Sequence, residues 1–227
     1  ILTSIVGTTL AILLGVPIGV LTAVFLAEVA PKPLAAIVKP AVELLAGIPS
    51  VIYGLLGIYL LNPLMYKLER LIFQGSTTHQ FTGGANLLSA VIVLAIMILP
   101  LIMRTAEEAL IAVPDSYREG SFGLGAGRLR TVFRIVLPAA GPGILSGVIL
   151  GIGRIVGETA ALIFTAGTMA QIPGLFQSGR TLAIHMYVLS GEALHMNEAN
   201  ATAVVLLLVV LLMNTLSALA AKKLTKK

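Results

Sequence analysis

Val113-Pro114-Asp115-Ser116-Tyr117-Arg118-Glu119-Gly120-Ser121-Phe122-Gly123-Leu124-Gly125-Ala126 separates two long apolar runs, and continues through Arg128 and Arg130 to Ile135-Val136-Leu137-Pro138. The stretch reads as a short helix with its own start and stop. Asp115 or Ser116 can accept the free backbone N–H groups at its beginning. Gly125 can end it in a left-handed turn. A second helix restarts near Leu129 and enters the next apolar run past Pro138. Tyr117, Phe122 and Leu124 give the short helix an apolar side, which spacing alone would lay on a lipid surface or bury in a protein groove.

The flanking runs fix the class. Ala85–Met103, continuing as helix to about Ala112, precedes the loop, and Ala139–Gly167 follows it. Three more runs have the same character: Ile1–Ala27 with Pro17 as a kink, Leu44–Met65 interrupted by Gly47, Pro49 and Gly54, and Ala201–Ala221. A spanning helix needs about 20 mostly apolar residues, and backbone polar groups in lipid must be satisfied internally, so all five read as helices. None shows the period-2 alternation of a membrane barrel. The fold class is therefore an all-α membrane protein with five visible spans. The Gly47-Ile48-Pro49-Ser50 interruption reads as a kink or as a break lining a cavity.

Composition agrees. Of 227 residues, 57% are hydrophobic and 11% charged, against about 25% charged in a soluble domain. A water-soluble globule is excluded. A nucleic-acid-binding or disordered chain is excluded too, despite the net charge of +5, because the apolar runs are too long. Cysteine is absent, which removes disulfides, thiolate metal sites and Cys nucleophiles. His79, His185 and His195 lack ligand spacing, so no metal site is expected. Tryptophan is absent, leaving five Tyr and seven Phe for the interfaces.

Basic residues orient the chain. Lys32, Lys39, Arg118, Arg128, Arg130, Arg134, Lys222, Lys223, Lys226 and Lys227 fall on one side; Lys67, Arg70 and Arg180 fall on the other. The richer side should be cytoplasmic, with the Lys222–Lys227 cluster also touching anionic lipid. Lys67–Gly84 reads as an outer loop. Thr168–Asn200 is longer, and its Thr181–Ser190 stretch reads as a helix at the outer surface or packed over the bundle. The chain opens at Ile1 inside an apolar run, and five spans with an outside start point to one further span ahead of it.

Span four carries two kinds of signal. Gly143, Gly147 and Gly151 recur every four residues and line one helix face, which suits close helix packing. Arg154 and Glu158 are also four apart, which on a continuous helix places them on one face. Each costs at least about 2.5 kcal/mol near the bilayer centre, and an intramembrane charge is a functional candidate by default. The pair is either a self-neutralised helix fastener or a substrate site. A guanidinium suits a tetrahedral oxyanion, because its planar fork donates two parallel hydrogen bonds at any working pH. A carboxylate beside it makes sense if the anion still carries a proton, as phosphate does at neutral pH and sulfate does not; Glu158 would then reject the unprotonated analogue. Arg104 lies about 19 residues into its span, roughly 28 Å along a helix, deep enough to snorkel to the interface. Glu107 and Glu108 read as solvated or paired with Arg118.

Two stretches resemble a known family. Glu119-Gly120-Ser121, Gly125 and Ile135-x-Leu137-Pro138 stand at the spacing of the "EAA" loop of bacterial and archaeal ABC importer permeases, with Gly120 and Ser121 in place of its two alanines. Arg154-Ile155-Val156-Gly157-Glu158-Thr159-Ala160, with Leu162-Ile163-Phe164-Thr165-Ala166, resembles a stretch of phosphate-importer permeases of the PstA type. Ala161 stands where that type has proline, which puts a local kink in doubt. Ala106-Glu107-Glu108-Ala109-Leu110 with Val113-Pro114 resembles the same type. The resemblance implies a type I (MetI-like) permease bundle as a single domain over residues 1–227, with residues 113–138 as the cytoplasmic coupling loop. It implies that Glu119, Gly120, Ser121, Phe122, Leu124 and Gly125 meet an ATPase subunit, and that Arg154 and Arg104 stand on the anion's path.

It also implies a multi-pass subunit of the prokaryotic inner membrane, pairing with a second permease, an ABC ATPase dimer and an external phosphate-binding protein, with inorganic phosphate as cargo. It implies that no cofactor is bound by this chain and that ATP and Mg are used by the ATPase; nucleotide binding here is excluded by the lack of a G-x-x-x-x-G-K-[ST] sequence. Two other readings stay open. One is an ABC importer permease for sulfate, molybdate, phosphonate or another solute. The other is a secondary transporter, which an inverted internal repeat would favour; none is visible. A membrane-embedded enzyme would need a clustered acid/base, nucleophile or metal set, and the sequence offers none.

Overall fold

A computed structural model describes residues 1–191 and 195–225, and among these residues are eleven α-helices and three π-helical turns. They are α1 (Leu2–Val24, continuing as a π turn over Phe25–Val29), α2 (Lys32–Ala46), α3 (Ser50–Leu56, joined by a π turn over Gly57–Leu61 to α4, Asn62–Ile72), α5 (Leu87–Ile111), α6 (Asp115–Gly123), α7 (Arg128–Thr131, with a π turn over Val132–Val136), α8 (Leu137–Val156), α9 (Ala160–Thr165), α10 (Leu182–Gly191) and α11 (Met196–Thr225). Lys226 and Lys227 of the basic cluster lie outside the described residues.

Five helices are long and apolar enough to cross a membrane: Leu2–Val29, Ser50–Ile72, Leu87–Ile111, Arg128–Val156 and Met196–Ala220. Each coincides with one expected span, with two shifts. The second starts at Ser50 and runs to Ile72, because Leu44–Ala46 belong to the amphipathic helix α2 and the chain breaks at Gly47–Pro49. Pro49 cannot supply the N–H that would continue α2, so the interruption separates two helices rather than kinking one. The fourth ends at Val156, not Gly167; α9 follows after a break. Pro17, by contrast, is carried inside α1.

α5 is the central helix. In its most apolar window 67% of residues are buried inside the chain, whereas the window of α11 has none. α1, α8, α9 and α3 all pack on α5, and Ile98, Ile102, Ile155, Leu162 and Ile184 form the main core. Small residues allow these approaches. Gly15 and Gly19 of α1 face Ile98 and Ile102, and Gly143, Gly147 and Gly151 of α8 face Ala109, Thr105 and Ile102. α10 is packed over the bundle, burying Leu182, Ala183 and Ile184. Asn86 caps α5 by accepting from the Ser89 N–H at 3.0 Å. The free N–H groups of Leu87 and Leu88 are satisfied by the carbonyls of Gln177 and Leu175 in the other far-end loop, which ties the two loops together. Gly84 takes φ +90° directly against the Asn62 carbonyl, a position where no Cβ fits.

Candidate functional site

The depth of Arg154 follows from helix register. α8 runs antiparallel to α5, with Gly143 against Ala109, Gly147 against Thr105 and Gly151 against Ile102. Continuing that register sets Arg154 level with Leu99, the midpoint of α5. Its side chain is exposed on the surface of this chain. Glu158 is not on the same helix face. α8 stops at Val156, Gly157 is its C-cap, and Glu158 lies in the break before α9. There its Oε1 accepts from the Ala161 N–H at 3.1 Å. The expected i,i+4 pair is thus undone by the break, and the break forms although Ala161 stands in place of proline: Gly157 ends α8 four residues earlier. α3 closes on this break. Gly54 lies against Phe164 and the Ala160–Ala161 backbone. The Tyr53 hydroxyl donates to the Leu45 carbonyl in the last turn of α2 at 2.7 Å. Two helix breaks, at residues 47–49 and 157–159, are therefore linked through α3.

Arg104 sits elsewhere. It is seven residues from the end of α5, about 10 Å along the axis, and its Nε donates to Glu108 at 3.0 Å. Glu107 pairs with Lys39 of α2. Lys39, Glu43, Arg104, Glu107 and Glu108 line a cavity of about 220 Å³ between α2 and α5. Three carboxylates and two cations leave that pocket with no positive excess. Glu107 and Glu108 do not pair with Arg118, which is engaged with Glu28 at the end of α1 at 2.6 Å and with the Leu110 carbonyl in the last turn of α5.

The loop of residues 113–138 holds α6 as a separate helix. Pro114 occupies its N-cap, and neither Asp115 nor Ser116 caps it with a side chain; Asp115 is instead in the first turn, bonded to Arg118 at 3.2 Å. At the other end Gly125 takes φ +80°. The Gly125 N–H bonds the Phe122 carbonyl and the Ala126 N–H bonds the Ser121 carbonyl at 3.1 Å, the two bonds of a Schellman ending. Glu119, Gly120, Phe122 and Leu124 are exposed, Leu124 at 91%. Ser121 is buried and turned inward, its hydroxyl 2.8 Å from that of Thr131 on α7. Arg118 is pushed above its ordinary range by its hydrogen bond to Glu28.

Sequence reasoning missed one organised cluster. Glu69 is fully buried at the far end of α4, and its carboxylate is 2.7 Å from His79 Nε2 and accepts from the Thr82 N–H at 3.2 Å. His79 stacks on Phe73 with ring centroids 3.8 Å apart, and Phe73 meets Phe176 edge-on. Phe73, His79 and Thr82 border a cavity of about 560 Å³. The spacing of Glu69 and His79 across a loop carries no helical or strand period, so no pattern flagged the pair. Among the described residues no group of three metal-capable side chains exists.

Residues 15–227 match the family model described as binding-protein-dependent transport system inner membrane component. The chain belongs to this family. This membrane component is 35% identical over 210 residues to the probable ABC transporter permease protein YqgH of Bacillus subtilis, covering 92% of the chain and 65% of that protein. It is 38% identical over 190 residues to the phosphate transport system permease protein PstC of Mesorhizobium japonicum, covering 79% and 58%. It is 35% identical over 164 residues to PstA of Mycobacterium leprae, covering 72% and 49%. The membrane component thus spans about half to two-thirds of the length of these relatives. Both PstC and PstA proteins are among them, so the likeness does not single out the PstA type. In fold it is similar to a chain of the inward-facing MetNI methionine ABC transporter, with a TM-score of 0.68 and 21% identity, covering 98% of this chain and 91% of that one. A permease of this family is a multi-pass inner-membrane transport subunit, not an enzyme, and holds no cofactor of its own.

Proposed function

We propose that this permease forms half of the translocation pathway of an ATP-driven phosphate importer, as one member of a PstA/PstC-like pair. The observation that carries the reading is Arg154: a cation level with the middle of the central span, exposed on its own chain, beside a helix break. A bare guanidinium cannot face lipid at that depth without a cost of at least about 2.5 kcal/mol, so its natural surroundings are a polar cavity shared with a second permease. The fork suits a phosphate oxyanion, and relatives named as phosphate transport permeases support that cargo. Glu158, anchored on the Ala161 N–H, offers an acceptor for a protonated anion. Arg104, among three carboxylates, acts at the basic end of the path rather than as a direct anion ligand.

The partners follow from this role. A pair of ATPase subunits would receive Glu119, Gly120, Phe122, Leu124 and the Gly125 turn on the basic side, taken as cytoplasmic, and an external phosphate-binding protein would dock on the far end. Ser121 supports this surface from within through Thr131. Closure of the ATPases would move α6 and switch the cavity from outward to inward, in the manner of a rigid-body transition. The test is ATP-dependent uptake of radiolabelled phosphate into vesicles holding the whole complex, with sulfate and molybdate as competing cargoes. Uptake of another oxyanion in preference to phosphate would overturn the cargo, and uptake indifferent to ATP would overturn the importer.

A further inference from the structure

The guanidinium of Arg118 joins three elements at once. Its Nη2 donates to Glu28 Oε1 at 2.6 Å and to the Leu110 carbonyl at 2.9 Å. Its Nη1 donates to the Val113 carbonyl at 2.8 Å and to Asp115 Oδ1 at 3.2 Å. Its Nε reaches Glu28 Oε1 at 3.3 Å. Leu110 and Val113 flank the C-terminal end of α5, where carbonyls lack helical partners and a cation is favoured by the helix dipole. Glu28 lies in the π turn that ends α1. Arg118 itself is in α6, the exposed helix between spans three and four. The Arg118 and Glu28 side chains are only 18% and 12% exposed. Around them Ala23, Val24, Ala106, Leu110, Val113, Val132 and Val136 form a closed apolar cluster at the basic end.

We infer that Arg118 is a positioning residue that fixes α6 to the ends of α1 and α5 as one rigid body, with Glu28 as the counter-ion that holds the fork in place. The inference rests on the importer reading, in which α6 is pushed by an ATPase. A helix tied only by the two flanking chain segments would rock on its loops when pushed, and the displacement would be lost in Gly123, Gly125 and Gly127. With Arg118 bonded to α1 and α5 together, a push on Leu124 or Phe122 becomes a displacement of two spans, one of which is the central helix of the bundle. The arrangement needs a planar fork with several donors in fixed directions, which lysine lacks. It also needs an acceptor on α1, which makes Glu28 a required partner although it is 90 residues away in sequence.

The chain has no cysteine, so two can be introduced for spin labels, at Ser116 on α6 and at Leu2 at the far end of α1, roughly 40 Å apart at 1.5 Å per residue. In the assembled transporter the wild-type label distance should be single and narrow, both without nucleotide and with ATP and vanadate. Glu28→Gln and Arg118→Lys should broaden it in both states. In the same preparations, phosphate imported per ATP hydrolysed should fall at least about fivefold, the low end of coupling between linked sites, while the amount of ATPase co-purifying with the chain stays unchanged. A residue needed only for folding would reduce the number of complexes and leave the ratio per ATP alone. Narrow distances in both variants, or an unchanged ratio, would overturn the inference. A wild-type complex that imports no phosphate with ATP would overturn the cargo reading instead, and the distance distributions would still decide whether α6 is fixed.

Discussion

Arg154 and Glu158, four residues apart, stand on opposite sides of the α8 terminus: the helix ends at Val156, and the Glu158 carboxylate accepts from the Ala161 N–H at 3.1 Å. The carboxylate thus has two separable properties, its charge and its role as an acceptor at the start of α9. Glu158→Gln keeps the acceptor oxygen and loses the charge. Glu158→Ala loses both and should cost about 1 kcal/mol of local stability, as for a lost helix-start acceptor. If the charge reads the proton on the anion, Glu158→Gln should import phosphate and admit sulfate as well. Competition between labelled phosphate and sulfate measures this, and unchanged selectivity would remove Glu158 from recognition.

Arg154 should be far less tolerant. Arg154→Gln removes the mid-membrane cation and should abolish ATP-dependent phosphate uptake, with the complex still assembled. Arg154→Lys keeps a charge but replaces the bidentate fork with a point donor, and should retain partial uptake at a raised half-saturating concentration. Transport assays on purified, reconstituted complexes separate the two outcomes. Full uptake by Arg154→Gln would take the residue off the pathway.

The spans and the loop were legible because each is a composition signal over 20 or more residues, or a turn signal at a single glycine. Gly125 takes the left-handed turn that its position after Phe122 and Leu124 suggests. The break at Gly157 was not legible. An apolar run with Gly143, Gly147, Gly151, Gly153 and Gly157 does not say which glycine ends the helix, and Ala161 in place of proline pointed the other way. The break lies beside a tertiary contact that no local pattern announces: Gly54 of α3 packs on the Ala160–Ala161 backbone. The partners of Arg118 were hidden for a related reason. Glu107 and Glu108 are near in sequence, whereas Glu28 is brought to Arg118 only by the packing of α1 along α5. Of the three residues assigned to the pathway from sequence, Arg154 and Glu158 flank one break, and Arg104 lies about one and a half turns of α5 nearer the basic end.

Gly54 should be among the least replaceable residues of the bundle. A Cβ there would lie 2.6 Å from the Phe164 ring and 3.0 Å from the Ala161 Cα. The ring could rotate, but the backbone could not. Gly54→Ala should therefore push α3 off α9 and cost about 1–3 kcal/mol, the range for overpacked cores. Thermal unfolding in detergent would show a lowered midpoint. Gly120→Ala, at a position with nothing within 4 Å of the added carbon, should leave the midpoint unchanged and serves as the control.

Leu124 separates stability from partnership. At 91% exposure it contributes little to the fold, so Leu124→Asp should shift stability by no more than about 0.5 kcal/mol, as for an ordinary surface change. If α6 enters an ATPase groove, the same change places a charge in an apolar contact and should remove ATPase from the purified complex. Co-purification and unfolding measured on one preparation give both answers. Loss of stability together with ATPase would show that Leu124 supports the chain itself.

The Glu69–His79 contact predicts the behaviour of the far end. Glu69 has no exposure at all, so replacing His79 by alanine leaves a buried carboxylate oxygen with one partner fewer, at a cost of about 1–3 kcal/mol. The same change removes the ring stacked on Phe73, which in turn meets Phe176 of the other far-end loop. Residues 73–86 should then become cleavable by added protease under conditions where the wild-type loop resists. His79→Phe should restore the stack without the hydrogen bond, and Glu69→Gln with His79 intact should keep a neutral acceptor near the ring. Protection recovered by His79→Phe alone would assign the loop's order to stacking. Protection lost in both His79 variants would assign it to the bond with Glu69, the result expected from the complete burial of that carboxylate.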